Sequence, residues 1–529
     1  MILTPASDWK NWADDYTMLP YIQAFPIEVT RIPDWGQLWK SSDRHAFVLE
    51  SGKGGTYTIA GRSPVSVVQG KGRQAEAVDW LPDGTCRRTR LDGEPLQAIS
   101  RWMAPYRSPQ VPGAPKLTGG CVGYLGYDVV RSLERLPESA QDDLGIPDYV
   151  MMRFEELWVV NQETATLYCC IHVPHDPQGQ EEKDSASLDR KYRRAADAAL
   201  NLKTEWDAIT AYGQQSSVAS RIQQMGAIVE AEDRDIDPER LAGLERAFDK
   251  EAFMDAVRRI QEYIAAGDVF QVNLSVRQSR ALHMSPERLY EWLRLVNPSP
   301  YMGYLRLDGF ELVSASPELL VELEGGRVRT RPIAGTRRRG ASPEEDRRMR
   351  DELLQNEKER AEHIMLVDLE RNDLGRISRY GSVQVTELMG IETYSHVMHI
   401  VSEVTGQLAE GKNCYDVIAA TFPGGTITGA PKVRTMQIIE ELEPVRRGPY
   451  TGSIGWIDYN GNMELNIVIR TLLSCRGKAY VQAGAGIVID SVPEREYKES
   501  LNKAKALWKA LELSEKHPLW REEEDGRLL

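Results

Sequence analysis

Short runs of apolar residues separated by turns fill the first part of the chain, and this pattern predicts β-strands. The clearest runs cover residues 46–50, 65–68, 122–127 and 167–173. Runs of about four to eight residues rich in valine, isoleucine and aromatic side chains are typical of strands with at least one buried face. The pattern therefore predicts a mainly β segment over residues 20–174.

The next segment, residues 175–248, is charged, contains many serine and glutamine residues and has few aromatic residues. One helical pattern stands out within it, over 188–202. Because so little apolar surface can be buried here, we predict a surface connector that is partly helical and partly disordered.

Helical and strand patterns alternate over residues 249–511. Asp249 can cap a helix whose apolar residues recur every three or four positions. A strand follows, in which Phe270 starts the apolar face and Gln271 the polar face. The final residues, 512–529, end in an acidic run and are predicted to form a frayed tail. Further strands are predicted at 301–306, 311–315, 319–323 and 479–483.

Two pairs of glutamate residues lie on predicted helices that carry their own start signals, at 342–345 and 491–494. The first of these helices is predicted to be long. Side chains three residues apart share one helix face, and four converging carboxylates would suit a hard dication that keeps positions open for a substrate. A single such pair is more often a solvated surface. The pairs are Glu359 with Glu362 and Glu496 with Glu499.

Composition and charge limit the classes of partner. The net charge of −14 argues against nucleic acid and membrane surfaces, so the arginine run at 337–339 is interpreted as a solvated loop. No apolar run approaches the ~20 residues of a membrane span, and the first residues have no signal-peptide pattern. The six cysteines lack metal-type spacing. We therefore expect a soluble cytoplasmic protein with reduced thiols.

Glycines offer two places where an anion could approach the backbone. Gly484 and Gly486 follow the predicted strand 479–483 and can leave N–H groups uncovered, although a bulge or bend explains them equally well. Gly335 can leave its backbone N–H uncovered in the same way, and Thr336 adds a hydroxyl that could also bind an anion.

Three side chains have both a functional and a structural interpretation. Arg470 can aim a guanidinium fork at a carboxylate or close a strand end with an ion pair. Tyr450 precedes a flexible turn of small residues and either binds a ligand or packs. His399 is expected to titrate near neutral pH, where it can act as acid or base, or it is structural. The G-x-C-x-G spacing at 119–123 fits the elbow of glutaminase nucleophiles, but its glycine-rich continuation favours a strand.

Three strings accompany the acidic pairs: PIAGT at 332–336, PGGTITGAPK at 423–432 and QAGAG at 482–486. With them the chain resembles the chorismate-utilising enzymes, in particular the large subunits of the two members that aminate chorismate. The resemblance extends over nearly the whole chain. It implies an α+β fold, a two-lobed antiparallel β-sandwich with helices outside.

The resemblance also implies a Mg²⁺ enzyme that acts on chorismate and receives ammonia from a glutamine amidotransferase subunit. Glu362 and Glu499 are similar to the principal Mg²⁺ ligands of the family, with Glu359 and Glu496 in support. The residues similar to the chorismate-binding set are Gly335, Thr336, Tyr450, Arg470, Gly484, Ala485, Gly486 and Lys503.

Glu318 is similar to the general acid that protonates the departing C4 hydroxyl, because hydroxide is a poor leaving group. His399 and Thr426 are similar to supporting active-site residues. The family members that add water instead of ammonia carry a lysine base where this chain has Gln271, so ammonia is the better nucleophile here.

The position of amination stays open. Strings at 55–61, 267–274 and 422–429 are more similar to aminodeoxychorismate synthase, which we favour. Many of those enzymes have a nucleophilic lysine where this chain has Ala334, and alanine is usual in anthranilate synthase, the alternative. A tryptophan pocket, either allosteric or structural, is implied by residues from two regions: Leu49, Glu50, Ser51, Pro300, Tyr301 and Met302.

Overall fold

Two antiparallel sheets of 12 strands each form the framework of the protein in the part of the chain that the structure describes. The structure is a computed structural model. Its described residues are 1–28, 34–41, 44–52, 55–81, 83–179, 185–232, 236–340, 342–393 and 397–519. Of the predicted tail 512–529, residues 520–529 lie outside them, and so does the side chain of Thr336. Residues 512–516 instead form the end of a helix in which Leu513 is buried, so any tail begins later than predicted.

The helices and strands follow one another in an order that mixes both types along the chain. The strands are β1 (Met18–Pro26), β2 (Ala46–Glu50), β3 (Tyr57–Arg62), β4 (Ser66–Lys71), β5 (Gln74–Trp80), β6 (Cys86–Arg90), β7 (Gly120–Leu125), β8 (Tyr149–Phe154), β9 (Glu156–Asn161), β10 (Thr166–Pro174), β11 (Glu245–Arg246), β12 (Gln271–Ala281), β13 (Tyr301–Leu307), β14 (Phe310–Ser316), β15 (Leu319–Glu324), β16 (Arg327–Thr330), β17 (Ile333–Arg338), β18 (Gln384–Thr393), β19 (Val397–Gln407), β20 (Gly429–Ala430), β21 (Ser453–Asp458), β22 (Met463–Ile467), β23 (Thr471–Cys475) and β24 (Lys478–Ile487). The α-helices are α1 (Ala6–Trp12), α2 (Gly36–Ser41), α3 (Pro95–Met103), α4 (Ser185–Gly213), α5 (Ser216–Ala231), α6 (Lys250–Ala265), α7 (Pro286–Val296), α8 (Pro343–Gln355), α9 (Glu357–Gly375), α10 (Cys414–Thr421), α11 (Lys432–Leu442) and α12 (Pro493–Lys516), with short 3-10 turns at Tyr127–Ser132 and Gly425–Ile427.

The first sheet has the strand order β1-β10-β9-β3-β2-β13-β14-β23-β24-β12-β11, with β20 also paired to β12. The second has the order β17-β19-β16-β15-β22-β21-β7-β8-β4-β5-β6, with β18 also paired to β19. Each sheet takes strands from both the early and the late part of the chain, for example β2 beside β13 and β7 beside β21. The predicted boundaries therefore divide the sequence, while each sheet combines strands from both sides of them. The division into domains stays a prediction.

The core lies between the two sheets. Phe47 and Leu312 from the first sheet meet Tyr124 and Trp456 from the second. Period-two alternation places such residues on one face of each strand, and burying a side chain of this kind contributes about 1.5–3 kcal/mol. This arrangement confirms the predicted α+β sandwich.

Helices cover the outer faces of the sheets. Trp206 of α4, Trp292 of α7 and Trp508 of α12 pack into one cluster on the first sheet, while α9 and α10 pack on the second. The helix predicted at 188–202 lies within α4, which is anchored by a hydrogen bond from Trp158 Nε1 to the Leu202 carbonyl (2.8 Å). Among the helices of the described ranges, none has the length and apolar character needed to cross a membrane.

Candidate active site

The first acidic pair is positioned by a break between two helices. We predicted one long helix from 342 through 362, and this prediction is wrong. Asn356 has an extended backbone with φ of −69° and ψ of 109°, and its side chain accepts a hydrogen bond from the Glu359 N–H at 3.0 Å. The chain therefore leaves α8 and starts α9 there, which places Glu359 and Glu362 in the first two turns of α9. A helix N-terminus favours negative charge.

The second pair lies near the start of α12. The helix begins after Val492, which provides no side-chain cap, so the predicted cap by Ser491 is wrong. Ser491 Oγ instead accepts from the Val488 N–H at 3.1 Å. Proline at the first helical position has no N–H, so this helix start has one donor fewer to satisfy.

The acidic side chains are held by neighbouring donors. Gln271 Nε2 donates to Glu362 Oε1 at 3.0 Å, Arg337 Nη1 lies 3.1 Å from Glu359 Oε1, and Lys503 Nζ lies 3.0 Å from Glu499 Oε1. Within the described ranges, no three acidic, histidine or cysteine side chains are close enough to hold a metal together. The pairs are thus engaged by protein cations and an amide in this structure.

The two acidic pairs nevertheless share an electrostatic environment. Burial raises the pKa of Glu362 and of Glu496, and the neighbouring acid of each pair raises it further. Lys358 and Lys503 lower the pKa of both carboxyls. Both pairs therefore face the same two lysines, in a place where added positive charge would be stabilising.

Gly335 forms a β-bulge opposite the first pair. The register between β17 and β19 shifts between Ala334 and Thr336, and Gly335 has φ of +63°. A Cβ there would lie 3.0 Å from Glu359 Oε2, so glycine is required both for the backbone and for the approach of the acid. The sequence raised a bulge as the alternative for Gly484 and Gly486, whereas the structure forms one at Gly335.

His399 supports this bulge. Its Nδ1 lies 3.2 Å from the Gly335 carbonyl oxygen, and because a carbonyl can only accept, Nδ1 carries the proton. Burial, followed by the charge of Arg470, lowers the pKa of His399 to about 4. The prediction that it titrates near neutral pH is therefore wrong, since the imidazole is neutral at pH 7.

Glu318 lies between β14 and β15 with its side chain buried. Its backbone is fixed by the Ile467 N–H, which donates to the Glu318 carbonyl at 3.0 Å. Burial raises the pKa of the Glu318 carboxyl to about 7, against the lowering effects of the Thr426 side chain and the charges of Arg470 and Lys503. The structure thus brings three other predicted residues together around Glu318, an acid that can hold a proton at neutral pH.

Arg470 adopts a left-handed backbone conformation with φ of +49°. For a residue with a side chain this costs about 1–3 kcal/mol. The Ala315 N–H donates to the Arg470 carbonyl at 3.1 Å, and the charge of Arg470 lowers the pKa of both Glu318 and His399. Such a strained position is typical of functional sites.

The glycines of 484–486 lie inside β24, whereas we expected them to follow the strand. Gly484 pairs with Ser275 and Gly486 with Asn273. A Cβ on Gly486 would collide with the Gln271 amide, and a Cβ on Gly484 would lie 2.6 Å from Asn273 Oδ1. The glycines therefore make room for polar side chains of β12, and the Gly484 carbonyl accepts from Lys503 Nζ at 3.0 Å.

Phe270 also differs from its prediction. It precedes β12 and is 70% exposed, so the apolar face of the strand starts at Val272. Its N–H donates to the Ala430 carbonyl at 2.8 Å. The side chain lies outside because the strand pairing with β24 begins only at Val272.

Tyr450 lies on a buried turn that is organised by Arg447, a residue the sequence did not single out. Arg447 pairs with Glu443 at 2.7 Å and donates to the carbonyls of Ile427 and Asn273. Its guanidinium lies 5.5 Å from the centre of the Tyr450 ring. The turn is thus tied to the Thr426 segment and to β12, and is not the flexible turn expected. The spacing of Glu443 and Arg447, four residues apart, was the available signal.

The three arginines of 337–339 are engaged in ion pairs. Beside the Arg337 pair, Arg338 lies 2.5 Å from Glu345 and Arg339 lies 2.7 Å from Asp346. Arginines engaged in this way do not have the properties of a nucleic-acid patch.

Cys121 lies on β7, and burial raises the pKa of its thiol. Cys121 therefore does not have the properties of a reactive nucleophile.

The residues predicted for a tryptophan pocket come together between the sheets. All six line one cavity of about 580 Å³. Its polar wall includes Lys116 and Glu464 from the neighbouring region, whose charged atoms lie 3.5 Å apart. Burial raises the pKa of Glu464 to about 7. The ligand of this cavity stays a prediction.

Comparison with known proteins identifies the class. A family model described as chorismate binding enzyme matches residues 45–509, so the chain belongs to this family and is a chorismate-utilising enzyme. It is 46% identical to aminodeoxychorismate synthase component 1 of Bacillus subtilis (strain 168) over 90% of this chain and 93% of the relative. It is 47% identical to anthranilate synthase component 1 of Thermus thermophilus over 80% and 83%.

A solved structure shares the fold. Anthranilate synthase component I from Streptococcus pneumoniae TIGR4 superposes with a TM-score of 0.65 at 32% identity, covering 86% of this chain and 92% of that chain. Each of these relatives is named as one component, which implies a second component in those systems.

Proposed function

We propose that this chain is the chorismate-aminating component of an aminodeoxychorismate synthase, which replaces the C4 hydroxyl of chorismate with an amino group. The observation that carries the proposal is Glu318, a buried carboxyl with a pKa of about 7 beside Thr426, Arg470 and Lys503. A neutral carboxyl at this pH can donate a proton to a departing hydroxyl, which then leaves as water. The match to an aminodeoxychorismate synthase, 46% identical over 90% of this chain, supports the choice of product.

Gln271 supports ammonia as the nucleophile. It contacts Glu362 at the acidic pairs, and a neutral amide cannot take a proton from water. Ammonia needs no such base, because its lone pair is free. The resulting ammonium group then loses one proton, and the balance is chorismate plus ammonia giving the amino product plus water.

We further propose that Mg²⁺ binds between the acidic pairs, with Glu362 and Glu499 as principal ligands and Glu359 and Glu496 in support. Four carboxylates match the preference of Mg²⁺ for hard oxygen ligands, and a cation would offset the burial and the neighbouring acid that raise the pKa of Glu362 and of Glu496. When bound, the ion would supply charge for holding a substrate carboxylate. Arg337 and Lys503 would have to release their acids first.

The ammonia is proposed to come from a separate glutamine amidotransferase, in the cytoplasm. The burial of Cys121 and the raised pKa of its thiol support a separate source. All six cysteines are free thiols, which supports a reducing compartment. Gly335, Thr336, Tyr450, Arg470, Gly484–Ala485–Gly486 and Lys503 are proposed to bind chorismate.

Anthranilate synthase component I is the second candidate, and Ala334 favours it. Ala334 is a buried residue of β17 next to the Gly335 bulge, and alanine offers no nucleophile for a covalent step at C2. Direct attack of ammonia on C2 would need none.

The product decides between the two. Purified protein is incubated with chorismate, Mg²⁺ and an ammonium salt, with and without aminodeoxychorismate lyase. We expect 4-aminobenzoate that depends on the lyase. Anthranilate formed without the lyase would instead establish C2 amination with loss of pyruvate.

A further inference from the structure

A second buried carboxyl lies in the wall behind Glu318. Helix α9 continues past the acidic pair to Glu370, which is 8% exposed. The preceding residue, Leu369, packs so closely on Gly425 that a Cβ on this glycine would collide with it. Gly425 is followed by Thr426, the residue beside Glu318. One helix–turn contact therefore brings the Glu370 region of α9 against the turn that faces the proposed acid.

A buried ion pair fixes this contact. Lys432 Nζ lies 2.5 Å from Asp373 Oδ2, one turn after Glu370, and also donates to the Thr421 carbonyl at 3.3 Å. Lys432 and Thr421 flank the segment 422–431 that contains the turn. Both ends of this segment are thus tied to α9, and the helix cannot move relative to Thr426 without breaking the pair.

The groups around Glu370 favour its protonated form. Burial raises the pKa of Glu370 to about 8, the Thr330 side chain lowers it, Asp373 and Glu318 raise it, and Lys432 lowers it. These are the charged groups that face it from α9, from the β14–β15 connection and from α11. The cluster therefore contains two carboxyls that repel each other's ionised form.

Hydroxyl groups accompany both carboxyls. Thr426 lies beside Glu318 and Thr330 beside Glu370. Among the residues that the structure describes, the buried atoms Thr426 Oγ1, Thr330 Oγ1 and Glu318 Oε1 complete no hydrogen bond of ordinary geometry. Buried polar atoms are rarely left without partners, and hydroxyls can accept one proton while releasing another. These are the groups that a proton transfer requires.

We propose that Glu370 is a positioning residue that returns a proton to Glu318 after each turnover. This inference rests on the proposed function, in which Glu318 gives its proton to the departing hydroxyl and is left as a carboxylate. The Glu370 proton then passes to Glu318. The ammonium group that ammonia forms on bonding to the ring then gives a proton to Glu318 while Glu318 passes its own proton back to Glu370, so the two carboxyls end the cycle with the protons they began with.

The test compares Glu370→Gln with Glu370→Asp in the full chain, using ammonium-dependent chorismate consumption from pH 6 to pH 9 at saturating Mg²⁺. Glutamine has the same shape but cannot supply a proton. We expect kcat of Glu370→Gln to fall about tenfold at pH 8 and much less at pH 6, where the solvent supplies protons more readily. The aspartate variant should keep the shape of the wild-type profile. Asp368→Asn, exposed on the same helix, is the matched control.

A uniform loss of kcat at every pH in Glu370→Gln would show a structural role and overturn the inference, and so would an unchanged profile. Addition of imidazole buffer should restore part of the lost activity at pH 8 if a proton donor is what the variant lacks. If the wild-type protein consumes no chorismate with ammonium and Mg²⁺, the proposed function itself fails and the inference fails with it. Thermal melts of both variants show whether each is folded.

Discussion

Gln271 donates from Nε2 to Glu362 Oε1 at 3.0 Å, which joins the first strand residue of β12 to the acidic face of α9. A neutral donor satisfies the buried carboxylate without adding a charge. Gly486 stands opposite, because any side chain there would collide with the amide. Gly486 therefore leaves room for the Gln271 amide, and the amide holds Glu362 without a charge that would compete with a cation.

Replacement of Gln271 by lysine is expected to weaken metal binding. An ammonium about 3–4 Å from a carboxylate competes with a dication for the same oxygen, and at an effective dielectric constant of about 20 the interaction is ~4 kcal/mol. We therefore expect the Mg²⁺ concentration for half-maximal chorismate consumption to rise about tenfold or more in Gln271→Lys. Gln271→Met, which removes the donor without adding charge, is the control and should change it far less. Equal values for wild type and Gln271→Lys would argue against Glu362 as a ligand.

Removal of Arg337 is expected to have the opposite effect. Its guanidinium holds Glu359 at 3.1 Å, and a metal must displace it. Arg337→Met should therefore lower the Mg²⁺ concentration for half-maximal activity by about two- to fivefold, a small effect because the pair is partly exposed. Arg338→Met is the matched control, since Arg338 pairs with Glu345. A higher Mg²⁺ requirement in Arg337→Met would contradict the competition.

Features set by neighbouring residues in the sequence could be predicted, whereas features set by residues distant in the sequence could not. The strand predicted at 46–50 coincides with β2, because period-two burial is a local pattern. The break at Asn356 was missed, since an asparagine within a helical pattern can either continue or cap a helix. The His399 pKa and the Arg447 network depend on residues distant in sequence, which no local pattern reveals.

Glu318→Gln is expected to separate activity from stability. Loss of the acid should lower kcat by about 10²-fold or more. The folded pKa of about 7 lies above the ordinary value of 4.5, so this group stabilises the fold below about pH 4.5, and the contribution is lost as pH rises through 7. The cost at pH 8 is about 3 kcal/mol at most. The variant should therefore melt at a higher temperature than wild type at pH 8, with the difference disappearing near pH 5. A lower melting temperature at pH 8 would be inconsistent with a buried, ionising Glu318.

The inter-sheet cavity is expected to bind tryptophan. Ligand at 100 times its dissociation constant stabilises a folded protein by about 2.7 kcal/mol, which a thermal shift assay detects. Ser51→Phe, which fills the cavity lined by Ser51 and Met302, should abolish the shift, while Ser51→Ala should retain it. A shift that persists in Ser51→Phe would place the ligand elsewhere.

The Glu443–Arg447 pair is expected to be a major contributor to the stability of the active-site turn. Both side chains are at most 3% exposed, and removal of Arg447 leaves the buried Glu443 carboxylate without its ion pair. Arg447→Met should therefore reduce the free energy of unfolding by about 3–5 kcal/mol. The double variant Glu443→Gln/Arg447→Met should recover part of this loss, because no charge is then left buried. Denaturant unfolding of the two variants measures both quantities. A double variant less stable than Arg447→Met would mean that Glu443 is stabilised mainly by its hydrogen bonds from Ser275, and that Arg447 acts chiefly through its bonds to the Ile427 and Asn273 carbonyls.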